Sequence, residues 1–561
     1  PNIVFLIADD MGYADISPYG GEISTPNLEA FSKKAVSFTN YRSSPVCSPS
    51  RSMLLTGVDN HIAGLGTMFE QISPYQKGKP GYEGVFSNRV VTLPQILKDA
   101  GYHTYMVGKW HLGEEPDQTP DKKGFERTFS LLEGGGDHYS TRGFSPSIPI
   151  NRYSSDGKDV AALPKDFYTT KFFTDKMIEY IESNRRDGKP FFTYFAYTSP
   201  HSPYQAPKEY IDKYINTYTG GWDKIRAERF QRMKKMGLIP DFVELPPRWK
   251  EVDAWDQLTP EGRRTAAKTM AIYAAMVDYL DMSIGRFIDY LKQTGQYENT
   301  IFVFLSDNGA DGHNRDQDQA YEKWFQQIKV DNSYENMGLP NSFVTRGLGW
   351  AQVSGTPFYA EKTTEAEGGV RDPLMIYYPG KIESGRRTDA FASIKDITPT
   401  VLDYAGVRHP GNTYQGRPIY PLTGPLAGKS LRPLLEGRVD RIRQDDETFP
   451  AEVFGTVNKA MYMGDWKIVR LDPPFGDRTW KLFNLRIDPG EQNDLSKMYP
   501  TLVQKLIVGY NQYEKDIGFV PIKPDQDKFL TVNPTPIGKM ISLLQPYGKG
   551  NTLMSSRALE N

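Results

Sequence analysis

Four oxygen-bearing side chains give the first chemical signal. Asp9-Asp10 directly follows the apolar run 3–8, and Asp307-Asn308 follows a second apolar run, 301–305, after one serine. Two such clusters at the ends of two strand-like runs make a hard oxygen cage suited to Ca²⁺ or Mg²⁺, and no thiolate or imidazole cluster favours zinc. Three carboxylates carry enough negative charge to hold a dication firmly. Adjacent acids after one strand can simply cap the following turn. The matching pair on a second strand end makes metal binding the better reading.

Cys47, the only cysteine, stands in Cys47-Ser48-Pro49-Ser50-Arg51, ahead of Leu54-Leu55-Thr56-Gly57. Ser48 suits an N-cap and Pro49 a first helical position, so the thiol is expected just before a helix N-terminus, where free amides and the helix dipole stabilise an anion. A lone cysteine is usually an inert core filler, but polar neighbours argue against an apolar burial site here. A single thiol also excludes an intrachain disulfide. Lys109 and His111 follow a third apolar run, 102–107, and His201 follows a fourth, 191–197, in Ser199-Pro200-His201-Ser202-Pro203. Two prolines fix the loop around His201. The bland alternatives are a backbone-bonded or turn histidine and solvated cations at Lys109 and Arg51.

These four runs share one grammar, an apolar strand-length stretch ending in polar, chemically capable residues. Near-continuous apolar strands belong to a sheet buried on both faces by helices, with largely parallel pairing. Ligands in such sheets bind beyond the carboxyl ends of the strands, so the four polar clusters should converge on one crevice. Helices are expected after Thr25-Pro26, after Thr92, over 171–183 and over 269–292. The stretches 204–260 and 310–356 read as polar, irregular insertions that line the site or cover it. Beyond Gly424, strands at 460–463, 466–471 and 480–485 and a helix at 502–513 suggest a smaller α+β domain. The expected division is a catalytic α/β domain over 1–424, a small antiparallel sheet plus helix over 425–535, and a tail over 536–561. The tail is expected to trail; the alternative is an arm joining a homo-oligomer.

Composition narrows the partners. With 67 basic and 69 acidic residues the net charge is −2, which leaves no basic field for nucleic acid or an anionic membrane. The 38% apolar and 24% charged content belongs to a soluble globular chain, and no apolar run approaches the roughly 18 residues needed for a membrane span. The chain opens directly on strand-like sequence, so any targeting peptide is expected to have been trimmed or omitted. The compartment, cytoplasmic or periplasmic, stays open.

The motif Cys47-Ser48-Pro49-Ser50-Arg51 with Leu54, Thr56 and Gly57 resembles the segment of type I sulfatases in which the cysteine is oxidised to Cα-formylglycine. Its companions occur in the family's order: Asp9-Asp10, Gly108-Lys109-Trp110-His111, Ser199-Pro200-His201, Ser306-Asp307-Asn308-Gly309, and Lys362 ahead of Glu367-Gly368-Gly369-Val370-Arg371. The resemblance runs from Pro1 through Asp488-Pro489-Gly490-Glu491 and is closest to bacterial arylsulfatases. It implies an alkaline-phosphatase-like α/β sandwich, with a large mixed, mainly parallel sheet covered by helices and a smaller C-terminal α+β domain.

The resemblance also implies roles. Asp9, Asp10, Asp307, Asn308 and the modified Cys47 would hold one Ca²⁺, with Mg²⁺ or Mn²⁺ as alternatives, and formylglycine-generating machinery would act on Cys47 during maturation. The hydrated aldehyde offers one hydroxyl as nucleophile and a second whose deprotonation expels sulfate after transfer. Arg51 and Lys109 would hold the nucleophile's oxygens, His111 would be the base for that elimination, His201 would protonate the leaving group, and Lys362 would join His201 on the sulfate oxygens. The implied reaction is hydrolysis of a small-molecule sulfate monoester, an aryl one by preference. Competing readings are a phosphonate monoester or phosphodiester hydrolase using the same site, and a sulfate-ester-binding protein without turnover. Of the other histidines, His103 and His409 read as structural, His313 as a candidate substrate contact, and His61 and His138 as candidates for the entrance.

Overall fold

The computed structural model describes residues 1–315, 318–382, 385–451 and 458–522. The expected tail, its subunit-bridging alternative and the end of the expected small domain, 523–535, lie outside the described residues.

A ten-stranded sheet organises the chain. In spatial order its strands are Arg387–Thr388, Val36–Phe38, Leu374–Tyr377, Thr300–Ser306, Asn2–Ala8, Phe191–Ala196, His103–Lys109, Arg127–Leu131, Tyr153–Ser155 and Lys158–Asp159. The central run from Thr300–Ser306 to Arg127–Leu131 is parallel throughout, and antiparallel pairs join it on both flanks. Side chains alternate across the sheet because successive Cβ atoms point to opposite faces. Val4, Leu6 and Ala8 enter one core with Met270, Ile272 and Val277 of the helix Pro260–Gln293. Ile3, Phe5 and Ile7 enter the other with Leu54, Leu55, Ile397 and Leu506. Burial on both faces is why these strands read as unbroken apolar runs.

A second sheet, Thr448–Pro450, Lys459–Met463, Trp466–Arg470 and Lys481–Asn484, is antiparallel, and the helix Pro500–Ile517 packs on it. Leu434, Leu506 and Tyr510 belong to the same core as Ile3 and Phe5, so apolar packing continues across position 424.

Two stretches expected to be irregular contain helices. Lys208–Tyr214 and Gly221–Lys235 lie within 204–260, and Gln319–Ile328 and Gly347–Ser354 within 310–356. Gly221–Lys235 hides its pattern because it buries arginines beside Trp222, Ile225 and Phe230. Arg229 is sealed by ion pairs to Asp15 and Glu22, each at 2.7 Å, so a core position carries a charge. The long helix starts at Pro260, ahead of the expected 269, because the Thr259 hydroxyl caps it by accepting from the Gly262 N–H at 3.0 Å.

Candidate active site

Sheet register brings the acidic clusters together. Ala8 pairs with Ser306 in adjacent parallel strands, so Asp9 and Asp307 leave the sheet at one level. The Asp307 N–H donates to the Ala8 carbonyl and the Asp9 N–H to the Ser199 carbonyl, both at 3.2 Å, which ties the His201 loop to the same edge. Asp10 turns the chain with φ of 64°, a left-handed conformation that costs a non-glycine residue energy and concentrates at functional sites. Its N–H donates to Asp307 Oδ1 at 3.3 Å, and Asn308 Nδ2 donates to Asp10 Oδ1 at 2.6 Å.

Cys47 is the first residue of the helix Cys47–Thr56, capped by extended Val46. The expected start, with Ser48 as N-cap, is therefore corrected: Ser48 sits inside the first turn and its buried hydroxyl has no hydrogen-bond partner. The incoming chain is held instead by the Ser50 hydroxyl, which accepts from the Ser44 N–H at 2.9 Å. All ten residues of this helix are buried, and Gly57 ends it at φ of 72°, donating to the Met53 carbonyl.

Three cations enter this cluster and each meets a different carboxylate most closely, with Arg51 also 3.7 Å from Asp9. Lys109 Nζ donates to both oxygens of Asp9, at 2.9 and 2.8 Å. Lys362 Nζ meets Asp10 Oδ1 at 2.6 Å, and Arg51 grips Asp307 Oδ2 through Nε at 2.9 Å and a terminal nitrogen at 2.8 Å. The two ammonium groups also flank the thiol, Lys109 at 3.3 Å and Lys362 at 3.4 Å from Cys47 Sγ. Burial pushes Asp9 up to about 7 even though Lys109 opposes the shift. Burial likewise pushes the Cys47 thiol up to about 12 against the pull of Lys109 and Lys362, so an unmodified thiol here is protonated and a poor nucleophile.

The residues present fit a divalent cation. Asp10 Oδ2 and Asn308 Oδ1 are buried without a hydrogen-bond partner, an arrangement that costs energy unless something positive meets them. Asp9, Asp10, Cys47 and Asp307 each bring a donor atom within 4.8 Å of the others. The oxygen-rich set suits a hard dication.

His201 stands at the rim, with Nδ1 2.6 Å from the Ser202 carbonyl and Nε2 3.5 Å from Asp10 Oδ2. The carbonyl fixes the proton on Nδ1 and leaves Nε2 facing the cluster. Burial, with Lys109 and Lys362 nearby, holds its pKa well below the usual histidine range. His111 is placed differently: its Nε2 lies 3.1 Å from Glu70 Oε1, its Nδ1 is buried without a partner, and no hydrogen bond joins it to Cys47.

Several residues here carried no readable role in the sequence. Glu70 partners His111 from the short 3-10 helix Phe69–Gln71. Gly134 and Gly135 pack against the two histidines: a Cβ on Gly134 would lie 2.6 Å from His111 Cε1, and one on Gly135 2.7 Å from His201 Cε1. The triple glycine 134–136 was the available signal. Phe144 lies 4.9 Å from the His201 ring, with the Arg315 guanidinium 4.4 Å above it.

His138 and His61 do not line an entrance. His138 is buried behind His201, donating from Nε2 to the His201 carbonyl at 3.1 Å, while His61 is sealed beside Asp59. His103 bridges Glu126 at 2.7 Å and Asp187 at 2.6 Å.

The Sulfatase family model matches residues 1–407. The chain belongs to the sulfatase family. A second model, the N-sulphoglucosamine sulphohydrolase C-terminal region, matches residues 358–508. This sulfatase is 40% identical over 433 residues to an arylsulfatase of Klebsiella aerogenes, covering 76% of this chain and 90% of that one. It is 41% identical over 538 residues to an uncharacterized sulfatase of Schizosaccharomyces pombe, covering 94% and 95%. A crystal structure of a sulfatase from Pseudoalteromonas sp. superimposes with a TM-score of 0.61 at 21% identity, covering 93% and 92%. The fold is the alkaline-phosphatase-like sandwich, with its large mixed, mainly parallel sheet. As a sulfatase the protein is a sulfuric ester hydrolase acting on sulfate esters. No described helix is long and apolar enough to cross a membrane.

Proposed function

We propose that this sulfatase hydrolyses aryl sulfate monoesters through residue 47 after its conversion from cysteine to Cα-formylglycine, with Ca²⁺ held by Asp9, Asp10, Asp307 and Asn308. The supporting observation is the Cys47 thiol between Lys109 and Lys362, at 3.3 and 3.4 Å, above three carboxylates. At a pKa of about 12 the thiol itself is a weak candidate nucleophile, which favours an oxygen at this position. A bound dication would lower the pKa of that oxygen.

The chain's own groups divide the remaining work. Lys109 and Lys362 direct N–H donors at position 47 and at the sulfate oxygens, where charge builds in the transition state. Arg51 holds Asp307 in place and donates to the Lys109 carbonyl at 2.9 Å, so one side chain positions both a metal carboxylate and a catalytic lysine. His201 delivers a proton from Nε2 to the leaving oxygen; the substrate's negative charge would raise its depressed pKa for that task. His111, oriented by Glu70, is assigned the base for regeneration of residue 47.

Charge balance supports a monoanionic ester. Asp9, Asp10 and Asp307 are matched by Lys109, Lys362 and Arg51, each in contact. A dication then leaves two positive charges, one for an oxyanion at residue 47 and one for a sulfate monoester. The aryl preference rests on Phe144 beside His201, where a leaving ring can pack, and on the arylsulfatase name of the Klebsiella aerogenes relative.

Two measurements test the reading. The peptide Ser43 to Arg51 holds the only cysteine, and its mass should show sulfur replaced by oxygen with loss of two hydrogens. Rates on matched aryl sulfate, phosphonate monoester and phosphodiester should favour the sulfate; a larger kcat/KM on either phosphorus substrate would overturn the sulfate-ester preference. Tight sulfate-ester binding without hydrolysis by confirmed modified protein would leave a binding protein instead.

A further inference from the structure

The loop that carries Lys362 is held from outside the catalytic sheet by a side chain to which the proposed reaction gives no role. Lys362 is flanked by two residues in left-handed conformations, Ala360 at φ of 57° and Thr363 at φ of 73°. A β-branched residue such as threonine is strongly disfavoured in this region, and it stays there only where its surroundings impose the conformation. Three segments do so. The Lys362 N–H donates to the Ala310 carbonyl at 3.0 Å, on the segment that follows Asp307 and Asn308, and the Thr363 N–H donates to the Pro45 carbonyl at 2.8 Å, just ahead of Cys47. The Thr363 carbonyl accepts from Asn458 Nδ2 at 3.1 Å, across 95 positions. With its N–H and its carbonyl both tied to other segments, the planar peptides on either side of the Thr363 Cα are fixed, and so are the two dihedrals between them. The loop also lies directly on the Gly368-Gly369 backbone: a Cβ on Gly368 would lie 2.0 Å from the Ala360 carbonyl oxygen, and one on Gly369 2.1 Å from that of Thr364.

Asn458 is itself oriented. It is buried immediately before the strand Lys459–Met463 of the second sheet, and its Oδ1 accepts from the Asp472 N–H at 2.8 Å. An N–H can only donate and a backbone carbonyl can only accept, so these two partners fix which end of the amide faces Thr363. The consequence falls on Lys362 Nζ, which lies 2.6 Å from Asp10 Oδ1 and 3.4 Å from Cys47 Sγ. A donor aimed at developing charge works through its preset position, and a lysine whose backbone relaxes loses that advantage.

We propose that Asn458 is a positioning residue for Lys362: by holding the Thr363 carbonyl it keeps Thr363 left-handed and the Lys362 ammonium group against residue 47. This rests on the assignment of Lys362 to the oxygens of residue 47 and of the sulfate. Asn458 acts through Thr363 rather than on the ester, and through it the second sheet contributes to the rate.

The test pairs Asn458→Leu, which keeps the bulk of the side chain and removes its amide, with Thr363→Gly, because glycine adopts positive φ without strain. In a crystal structure of Asn458→Leu, Thr363 is expected at negative φ, with Lys362 Nζ withdrawn from hydrogen-bond distance of Asp10. Its kcat on an aryl sulfate should fall at least tenfold with little change in KM, at native circular dichroism and unchanged conversion of residue 47 by mass. Adding Thr363→Gly to Asn458→Leu should recover at least threefold of that loss, a rescue that a merely structural role for Asn458 would not produce. Should Asn458→Leu fail to fold, Asn458→Ser, whose hydroxyl is too short to reach the Thr363 carbonyl, carries the same comparison. Thr363 still left-handed with Lys362 in place, or a rate loss that Thr363→Gly does not lessen, overturns the proposal. A parent with converted residue 47 that does not turn over aryl sulfates would count against the proposed function instead, and the two crystal structures would still decide what holds Lys362.

Discussion

Lys467→Met would separate charge from packing in the buried network that joins the second sheet to the catalytic loop. Lys467 is fully buried, with Nζ 3.0 Å from Glu367 Oε1 and 2.8 Å from Glu491 Oε1. Glu491 also accepts from the Glu367 N–H at 2.7 Å, at the start of the turn that follows Lys362. Without Lys467, Glu367 keeps Arg42, but Glu491 keeps no cation in contact. Burial already raises Glu491 to about 7 in spite of Lys467, and the variant must raise it further. An acid whose pKa is raised on folding destabilises the native state progressively as pH climbs from its unfolded value toward its folded value. Both proteins therefore lose stability together up to pH near 7, where the parent levels off. The variant continues to fall by about 1.4 kcal/mol per pH unit. Adding a residual loss of about 1–2 kcal/mol from the missing contact to Glu367, the deficit should reach about 4 kcal/mol by pH 9, in the range for breaking a buried pair. Thermal unfolding of both proteins at pH 6, 7, 8 and 9 gives the comparison. A deficit that is constant across that series, or that grows toward acid, refutes the reasoning.

Other substitutions probe the site directly. Cys47→Ala should abolish turnover without unfolding the protein, read by circular dichroism and rate; near-normal activity removes residue 47 as nucleophile. His201→Ala should lose more rate on esters with poor leaving groups than on activated phenols, because a good leaving group needs less protonation; equal losses would reassign its role. Gly135→Ala should displace the His201 ring and cost at least tenfold in kcat with little change in melting temperature, whereas an unaffected rate would show that the ring has room to move. His103 carries a raised pKa, with its two carboxylate partners outweighing burial, so its contribution is fully present below pH 6.5 and is lost as pH rises through the folded value. His103→Gln should accordingly narrow the difference in melting temperature between pH 6 and pH 9, and an unchanged difference would argue that the pair adds nothing.

The sequence made the strand-end chemistry readable for a physical reason. A strand buried on both faces must be apolar throughout, so Asp9 after Ala8 and Asp307 after Ser306 stand out sharply, and parallel pairing puts them at one edge. Cys47, Lys109, His201 and Lys362 came from motif and order, and all four lie in or beside the carboxylate cluster. What could not be read were partners fixed only by the fold. Glu70 meets His111 across 41 positions, and Lys467 meets Glu367 across 100. The helix Gly221–Lys235 escaped because its core positions include Arg226 and Arg229, whose burial depends on acids and carbonyls elsewhere in the chain.

The one-to-one pairing of Lys109 with Asp9, Lys362 with Asp10 and Arg51 with Asp307 explains how so many charges are buried together. A carboxylate sealed from water without a counter-charge is too costly to keep ionised, and three together would protonate or unfold the edge of the sheet. Internal cations hold the acids of the site in fixed, preorganised positions, although burial still raises Asp9 to about 7 against the pull of Lys109. Asp10 and Asn308, each with a buried oxygen that has no hydrogen-bond partner, are among the residues that would hold a dication, and its charge would compete with the two lysines for Asp9 and Asp10. Those ammonium groups already lie within 3.4 Å of Cys47 Sγ, so in the proposed reaction a modest shift would free them for the oxygens of residue 47 and of the ester. Arg51, with one hydrogen bond and an ion-pair contact to Asp307 and one hydrogen bond to the Lys109 carbonyl, has no such freedom and would hold the frame while the lysines changed partners.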